Sequence, residues 1–417
     1  MSDLGTSHPS GRSWDRPVKY GSSSGLSDCV VSSKSKTITV FIFILINVLN
    51  YMDRFTIAGV PENVKSYYKI NDSKLGQLQT MFFVFYTILS PIAGYLGDRW
   101  KRKRIMQIGL SIWIIVTLAS SFLFSLFLAT RCFVGIGEAS YSTLAPTILS
   151  DLFMGNARTK VLGLFYFAAP VGSGLGFIVG SEITRLAGSW QWSLRITPIL
   201  GLLCIILLSV LHSDPPRGEA EGGSHMRTTS WWLDIKSLLS NQAFMFISCG
   251  YTCVCFVLGS LSWFAIDLIQ SALNAINDDP SAWRNYKQVL VFIVEFLLCI
   301  TWALVTDMTM GVVIPTRRST ASALQMVMSH ALGDAISPAI VGRIAVAFTD
   351  LHSLETQYLG LQRALFLTAF VCALGGFLFL MVTLYLVKAK NDVHRAIQGT
   401  FYFYYYHCII LFHAIYL

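Results

Sequence analysis

Charged residues are scarce in this sequence. They account for 13% of its 417 residues, whereas soluble proteins average about 25%, and 54% of the residues are hydrophobic. This composition argues against a soluble globular core and is typical of a protein that crosses a membrane several times. The net charge of +8 comes largely from short basic segments between apolar stretches. Such segments orient membrane helices, so we predict no nucleic-acid partner.

Metal-binding and catalytic patterns are also missing. The nine cysteines are scattered through the chain, without CxxC pairs or the Cys/His spacings of zinc sites. The sequence has no HExxH motif and no Gly-rich phosphate loop. We therefore predict that the protein is not an enzyme and that it holds no cofactor or metal.

Long apolar runs dominate the rest of the chain. Ten of them are long enough to cross about 30 Å of hydrocarbon as helices. Six lie within residues 37–211 and four within residues 241–387, and a polar stretch at 212–240 separates the two groups. We predict an all-α polytopic membrane protein with a six-helix N-terminal half, a linker and a C-terminal half of about four helices. The tail at 388–417 is expected to be interfacial or irregular at its aromatic end, with a marginal extra span as the alternative.

The distribution of basic residues predicts the orientation in the membrane. Residues 98–104, directly after the second apolar run, contain five Lys and Arg, which marks a cytoplasmic loop. Alternation of the spans then places the linker and the Arg317-Arg318 pair on the same side. Residues 1–36 are polar, rich in serine and glycine, and lack the apolar run of a cleavable signal peptide. We predict that they form a disordered cytoplasmic tail.

One group of charged residues lies within two apolar runs of the N-terminal half. Asp53 and Arg54 lie in the first run, and Arg131 and Glu138 lie seven residues apart in a later one, on one helical face. A charge at membrane depth costs on the order of 3 kcal/mol, so it needs a partner or a water-filled cavity. We predict that these four residues form a cluster that binds protons or substrate. The alternatives are a static network of salt bridges and, for Asp53 and Arg54, exposure at the membrane surface near Pro61.

Further polar residues occur in the apolar runs of the C-terminal half, namely Glu295, Trp302, His330 and Asp334. His330 and Asp334 are four residues apart and can form a hydrogen bond on a helix. These residues are candidates for substrate or proton contact in a cavity between the halves near the midplane. Structural pairing within the C-terminal half is the alternative.

A stripe of glycines lies on one face of the fifth apolar run. Gly172, Gly176 and Gly180 recur every four residues. Bare stripes of this kind let two membrane helices approach closely. We therefore predict a close helix–helix contact along this face.

Several ordered motifs together resemble a known family. The segment from Gly94 to Arg99, followed by Arg102-Lys103, resembles the loop signature between helices 2 and 3 of the major facilitator superfamily. More specific matches resemble the spinster family over about residues 37–387. They are residues 50–54 (NYMDR), 131–141 (RCFVGIGEASY), 145–147 (APT) and 314–320 (IPTRRST), with Ser329-His330, Gly333-Asp334 and Ser337-Pro338.

This resemblance implies a major facilitator fold of two six-helix halves. It implies a secondary-active or facilitative carrier of lysophospholipids or sphingoid lipids, linked to protons in some members, in a lysosomal, late endosomal or plasma membrane. It also implies that Gly94, Asp98, Arg99 and Arg102 form a conformational latch; charge that only sets topology is the alternative.

The C-terminal half departs from the family pattern. Two helices after the seventh span and the second copy of the basic loop are missing from the sequence. Two other functions therefore stay open. One is a non-transporting form or interaction protein with the same fold, and the other is a carrier of a different small organic solute.

Overall fold

The computed structural model describes residues 33–69, 72–122, 127–275, 284–348 and 354–416, in which regular structure is helical throughout. The predicted all-α class is confirmed for this part of the chain. We number its α-helices in order as α1 Ser33–Thr56, α2 Pro61–Tyr68, α3 Asp72–Arg99, α4 Arg102–Ser120, α5 Phe127–Leu152, α6 Gly155–Ala187, α7 Gln191–Leu211, α8 Trp231–Ser240, α9 Gln242–Ala275, α10 Arg284–Val312, α11 Arg318–Ser329, α12 Ser337–Ala347 and α13 Leu354–Tyr416.

The helices carry enough apolar length for a protein that crosses a membrane repeatedly. Within the described residues, α1, α3, α4, α6, α7, α9 and α13 each contain a stretch long and apolar enough to span the bilayer. Many of their large apolar side chains are exposed, as expected for surfaces that face lipid. The structure therefore agrees with the polytopic membrane class.

Two hydrophobic cores divide the bundle. The first, which we call the N-terminal half, joins α1 and α3 to α7, with α1 along α6 and α7, and α3 and α4 along α5. The second, the C-terminal half, joins α8 to α11 and α13. The two halves meet along a surface that we call the seam, where α3 packs on α11 and α6 packs on α10.

The glycine stripe of α6 packs directly on the backbone of α1. A Cβ atom added at Gly172, Gly176 or Gly180 would lie 2.4–2.5 Å from a carbonyl oxygen of α1. Only glycine allows this approach, so the predicted close helix contact is confirmed.

One apolar run of the C-terminal half, residues 320–348, is not a continuous α-helix in the structure. α11 and α12 are separated by a π-helical turn, His330–Asp334. Gly333 in this turn lies against α9, where an added Cβ would be 2.7 Å from the Cβ of Cys255. Pro338 follows at the start of α12, where its missing N–H needs no helical partner. Short π-helical turns like the one at His330–Asp334 are frequent at functional sites.

Both ends of the described chain are more helical than the sequence suggested. α1 begins at Ser33, so the last four residues of the predicted tail at 1–36 are helical. The other residues of this tail lie outside the described part of the chain. At the other end α13 continues without a break to Tyr416, in place of an irregular tail. Good helix formers follow the span, and Val393 and Ile397 are buried, which favours continued helix.

Candidate functional site

The structure brings the four intramembrane charges together as two ion pairs between α1 and α5. The guanidinium of Arg54 donates from Nη2 to Oε2 of Glu138 at 2.6 Å. Arg131 Nη1 lies 3.9 Å from Oδ2 of Asp53. Each helix thus supplies one acid and one base, and every acid faces an arginine of the other helix. We call these four residues the acid–base cluster.

Asp53 is fully buried and has two hydrogen-bond donors that the sequence did not reveal. Thr197 on α7 donates to Oδ1 at 2.7 Å, and the indole N–H of Trp113 on α4 donates to Oδ2 at 3.2 Å. These donors offset the loss of hydration around the carboxylate. Both residues sit in apolar helices without any local pattern that would single them out.

Arg54 lies in an aromatic surrounding. Its guanidinium carbon is 4.6–5.9 Å from the ring centres of Tyr51, Phe82, Phe83 and Tyr86. Cation–π contacts of this kind stabilise a desolvated arginine. Phe82 and Phe83 lie in an apolar run, and the structure places both rings against a charge.

Some polar atoms of the acid–base cluster have no hydrogen-bond partner among the described residues. They are Arg54 Nε, Arg131 Nε, Arg131 Nη2 and Glu138 Oε1, all of them buried. A buried polar atom without a partner is costly unless water or a ligand satisfies it. The cluster therefore retains donors and an acceptor for a bound group.

The polar residues of the C-terminal half lie beside this cluster. His330 and Asp334 form the expected hydrogen bond, with Nδ1 2.6 Å from Oδ2, inside the π-helical turn. The His330 ring lies 5.7 Å from Phe83 and 5.4 Å from Tyr86, the same rings that contact Arg54. His330 and Arg54 therefore flank one aromatic layer from opposite halves.

Trp302 reaches the same region from α10. Its ring centre is 6.4 Å from Tyr51 and 6.2 Å from Tyr166, and its indole nitrogen is buried without a hydrogen-bond partner in the described chain. Oδ1 of Asp334 is also buried and has no hydrogen-bond partner among the residues that the structure describes. Glu295 belongs to α10, but its side chain lies outside the described part of the structure.

The basic segment at 98–104 lies at one end of the bundle, which we call the basic end. There Asp98 accepts hydrogen bonds from the backbone N–H groups of Ser319 and Thr320, at 2.9 and 2.8 Å. Both N–H groups belong to the first turn of α11, where the helix dipole favours an anion. Gly94 packs flush against Ser319 and Ala323, since a Cβ on Gly94 would be 2.5 Å from the Cβ of Ala323. These contacts close the seam at the basic end.

Arg99 and Arg102 contact different parts of the chain. Arg99 Nη2 donates to Asp234 of α8 at 2.9 Å. Arg102 is buried at the start of α4, where it pairs with Asp151 of α5 and donates to Asp214 of the linker at 3.2 Å. The four predicted latch residues therefore lie together, but only Gly94 and Asp98 touch α11 directly.

Comparison with known proteins identifies the family. Residues 43–385 match the model of the Major Facilitator Superfamily. "Protein spinster homolog 1" of Xenopus laevis is 41% identical over 88% of this chain and 84% of its own length. "Protein spinster" of Drosophila melanogaster is 37% identical over 88% of this chain and 79% of its own length.

A solved structure shows the same fold. The crystal structure of a bacterial homolog of the human lysosomal transporter spinster, in an inward-facing and unoccupied conformation, matches with a TM-score of 0.55 at 16% identity. The match covers 86% of this chain and 99% of that one.

The alignments also show where this chain differs from its relatives. The alignment with the Xenopus laevis protein is 446 residues long, which exceeds the 417 residues of this chain. The relative therefore contains residues inside the matched region that have no counterpart here. Identity, coverage and fold agree, and this chain belongs to the spinster family of Major Facilitator Superfamily transporters, a multi-pass membrane family and not a class of enzymes.

Proposed function

We propose that this chain carries lysophospholipids or sphingoid lipids across the membrane by alternating access, with proton coupling through the acid–base cluster. The observation that carries the proposal is the pair of buried ion pairs between α1 and α5, next to the seam. Buried charges that a stable core does not need are typical of proton or substrate pathways in membrane proteins.

The arrangement of the two ion pairs supports proton coupling. Each acid depends on an arginine from the other helix, so a small shift of α1 against α5 separates acid from base. A buried carboxylate that loses its arginine favours the protonated form, and it releases the proton when the pair forms again. Both helices belong to the N-terminal half, so this shift would take place within that half as the seam beside it opens and closes in the transport cycle.

The surroundings of the cluster suit an amphipathic lipid. Arg54 supplies a cation for a phosphate, and the unsatisfied Oδ1 of Asp334 supplies an acceptor for an ammonium or hydroxyl group. The rings of Phe83 and Tyr86 contact both Arg54 and His330, which is bonded to Asp334, and they offer apolar surface for the chain of the lipid. We also propose a lysosomal, late endosomal or plasma membrane, on the basis of the lysosomal transporter to which the matched bacterial structure is homologous.

A second function is supported by the missing residues. We propose as the alternative that this form keeps the fold but transports poorly, or serves as an interaction partner, because the C-terminal half is predicted to lack two helices. Their absence would remove a wall of the central cavity and neighbours of α9 and α10. The long alignment with the Xenopus laevis relative supports this reading.

Uptake into vesicles separates these functions. The purified chain is reconstituted, and a labelled lysophospholipid, a labelled sphingoid base and a labelled sugar are offered with and without an imposed pH gradient. The same assay is run on a version in which the aligned extra residues of the Xenopus laevis relative are restored. Lipid uptake by both forms supports a carrier, uptake by the restored form alone supports the non-transporting alternative, and sugar uptake alone overturns the lipid assignment.

Two variants test proton coupling in whichever form transports. Glu138→Gln and Asp53→Asn keep the side-chain shape and remove titration, so uptake should lose its response to the pH gradient. Glu182→Gln is the matched control, because Glu182 is exposed and its ion pair in the described structure is with Arg185 of the same helix. If both cluster variants respond to the gradient like the control, the cluster is structural.

A further inference from the structure

The π-helical turn between α11 and α12 carries oxygen atoms that lack hydrogen-bond donors. Oδ1 of Asp334, the last residue of the turn, and Oγ of Ser337, the first residue of α12, are buried and have no partner among the described residues. Ala335 and Ile336 between them have right-handed helical φ and ψ angles. Residues three positions apart on such a backbone are neighbours on one face, so the two side chains lie side by side.

Pro338 leaves a third oxygen without its regular partner. In an α-helix the carbonyl oxygen of residue 334 accepts a hydrogen bond from the N–H of residue 338, and proline has no N–H. This carbonyl oxygen lies beside Oγ of Ser337, since the two atoms are 3.1 and 2.7 Å from a single point, the position of a Cβ added at Gly259 of α9. A carboxylate, a hydroxyl and a carbonyl oxygen therefore meet at this turn.

α9 closes this group of oxygens on one side. A Cβ at Gly259 would also lie 2.8 Å from Cα of Asp334, so only glycine lets α9 approach the turn this closely. Oδ1 of Asp334 and Oγ of Ser337 have almost no surface that a water molecule can reach. A metal ion approaches its oxygen ligands more closely than a hydrogen-bonded water does, so the space favours a small ion over water.

The charge at the turn also favours a cation. Oδ2 of Asp334 is 2.6 Å from Nδ1 of His330, and a neutral imidazole supplies a hydrogen bond there but no positive charge. A carboxylate inside the membrane is costly without a positive partner. Oxygen atoms of carboxylate, hydroxyl and carbonyl groups are the ligands of hard cations, and interrupted membrane helices bind sodium through such atoms.

We propose that the turn binds one sodium ion through Oδ1 of Asp334, Oγ of Ser337 and the carbonyl oxygen of Asp334. The side chain of Asp334 is 19% exposed, and this open side admits the ion and the water that completes its coordination. The site goes beyond the proposed function, in which Oδ1 of Asp334 contacts the lipid headgroup. The ion occupies this atom when no lipid is bound, and its binding does not depend on the identity of the lipid.

Retention of radioactive sodium by the purified full-length protein tests the site directly. The protein is immobilised in detergent without any lipid substrate. Unlabelled NaCl displaces the label, while N-methylglucamine chloride keeps the ionic strength constant. The wild-type protein should retain one sodium ion per chain. No transport is measured, so failure of this proposal and failure of the proposed lipid transport are separate results.

Three variants each remove one ligand of the ion. Asp334→Asn removes the charge and should abolish detectable binding. Ser337→Ala removes the hydroxyl and leaves the carboxylate in place. Pro338→Ala supplies the N–H that engages the carbonyl oxygen of Asp334. Each of the last two should raise the Kd for sodium by at least about tenfold, as expected for the loss of one polar contact to a charged group.

Ser150→Ala is the matched control. Ser150 is a fully buried serine on α5, and its hydroxyl donates to the carbonyl oxygen of Pro146 at 2.8 Å. This variant should bind sodium with the Kd of the wild type. Thermal unfolding in sodium-free buffer shows that each protein compared is folded, and Ser337→Ala is the smallest of the changes at the site.

Two results would overturn the proposal. If the folded wild-type protein retains no sodium, the oxygens at the turn serve a proton or the lipid headgroup instead. If Ser337→Ala and Asp334→Asn bind sodium with the same Kd as Ser150→Ala, the ion binds at another place in the protein.

Discussion

The contact between α1 and α6 allows a sharp prediction for Gly176→Ala. The added methyl carbon would lie 2.5 Å from the carbonyl oxygen of Met52 and 2.9 Å from Cβ of Phe55, whereas ordinary contact begins at 3.4 Å. The carbonyl oxygen is part of the backbone of α1, and Cβ of Phe55 is bonded directly to that backbone. Neither atom can move away by itself, so the helices must move apart by roughly 1 Å. Met52 precedes Asp53, so the movement also disturbs the hydrogen bond between Asp53 and Thr197.

Gly174→Ala on the same helix is the matched control. An added Cβ at Gly174 has nothing within 4 Å. Both substitutions replace glycine in a helix, which stabilises by about 0.5–1 kcal/mol, and this gain cancels in the comparison. The difference that remains is the strain of overpacking, about 1–3 kcal/mol. We expect Gly176→Ala to be the less stable variant by that amount.

Thermal unfolding in detergent micelles, followed by tryptophan fluorescence, measures this difference. The same proteins in vesicles report whether the pH response of lipid uptake weakens in Gly176→Ala and persists in Gly174→Ala. Equal stability of the two variants would refute the reasoning, because it would show that α1 and α6 are not in backbone contact at this point.

Three further predictions concern other sites. Thr197→Val keeps the side-chain shape and removes a donor to a buried carboxylate, so it should lower the free energy of unfolding by about 1.5–3 kcal/mol in the same assay; no loss would show that Asp53 does not need this bond. Burial lowers the pKa of His212, just beyond α7, from 6.5 to about 4, so the unfolded chain takes up this proton first and stability should fall as the pH drops from 6.5 towards 4. His212→Gln should flatten that slope, which amounts to at most about 3 kcal/mol, and an unchanged slope would contradict the assignment. A cysteine at the exposed position Lys101 should react only with reagent on the cytoplasmic side of sealed vesicles, and lumenal labelling would reverse the predicted topology.

Much of the fold could be predicted from the sequence because its signals are local. An apolar run of sufficient length has to become a helix in a membrane, where every backbone polar group must be bonded within the chain. The spacing of Gly172, Gly176 and Gly180 likewise predicted a close helix contact, since a helix places every fourth residue on one face. The motifs that resembled the spinster family are also contiguous stretches, and the comparisons confirmed them.

The partners of the intramembrane charges were only partly predictable. Two acids and two bases in apolar helices had to find one another, because an unpaired charge at that depth is too costly. Which base meets which acid depends on how α1 and α5 rotate as they pack. The sequence contains no sign that Trp113 and Thr197, which lie 60 and 144 residues from Asp53, would bind its carboxylate.

The linker shows most clearly which features are predictable from the sequence and which depend on packing. Its polar composition by itself predicted that residues 212–240 connect two apolar groups of helices. Only the tertiary structure placed Glu221 and Asp234 between arginines of opposite halves, because such bridges join four segments that are distant in the chain. Hydrophobic length and periodicity determine which segments become helices and which faces they bury. The pairing of charges between helices is decided by packing, since it depends on the relative positions of whole elements and not on the spacing of residues within one of them.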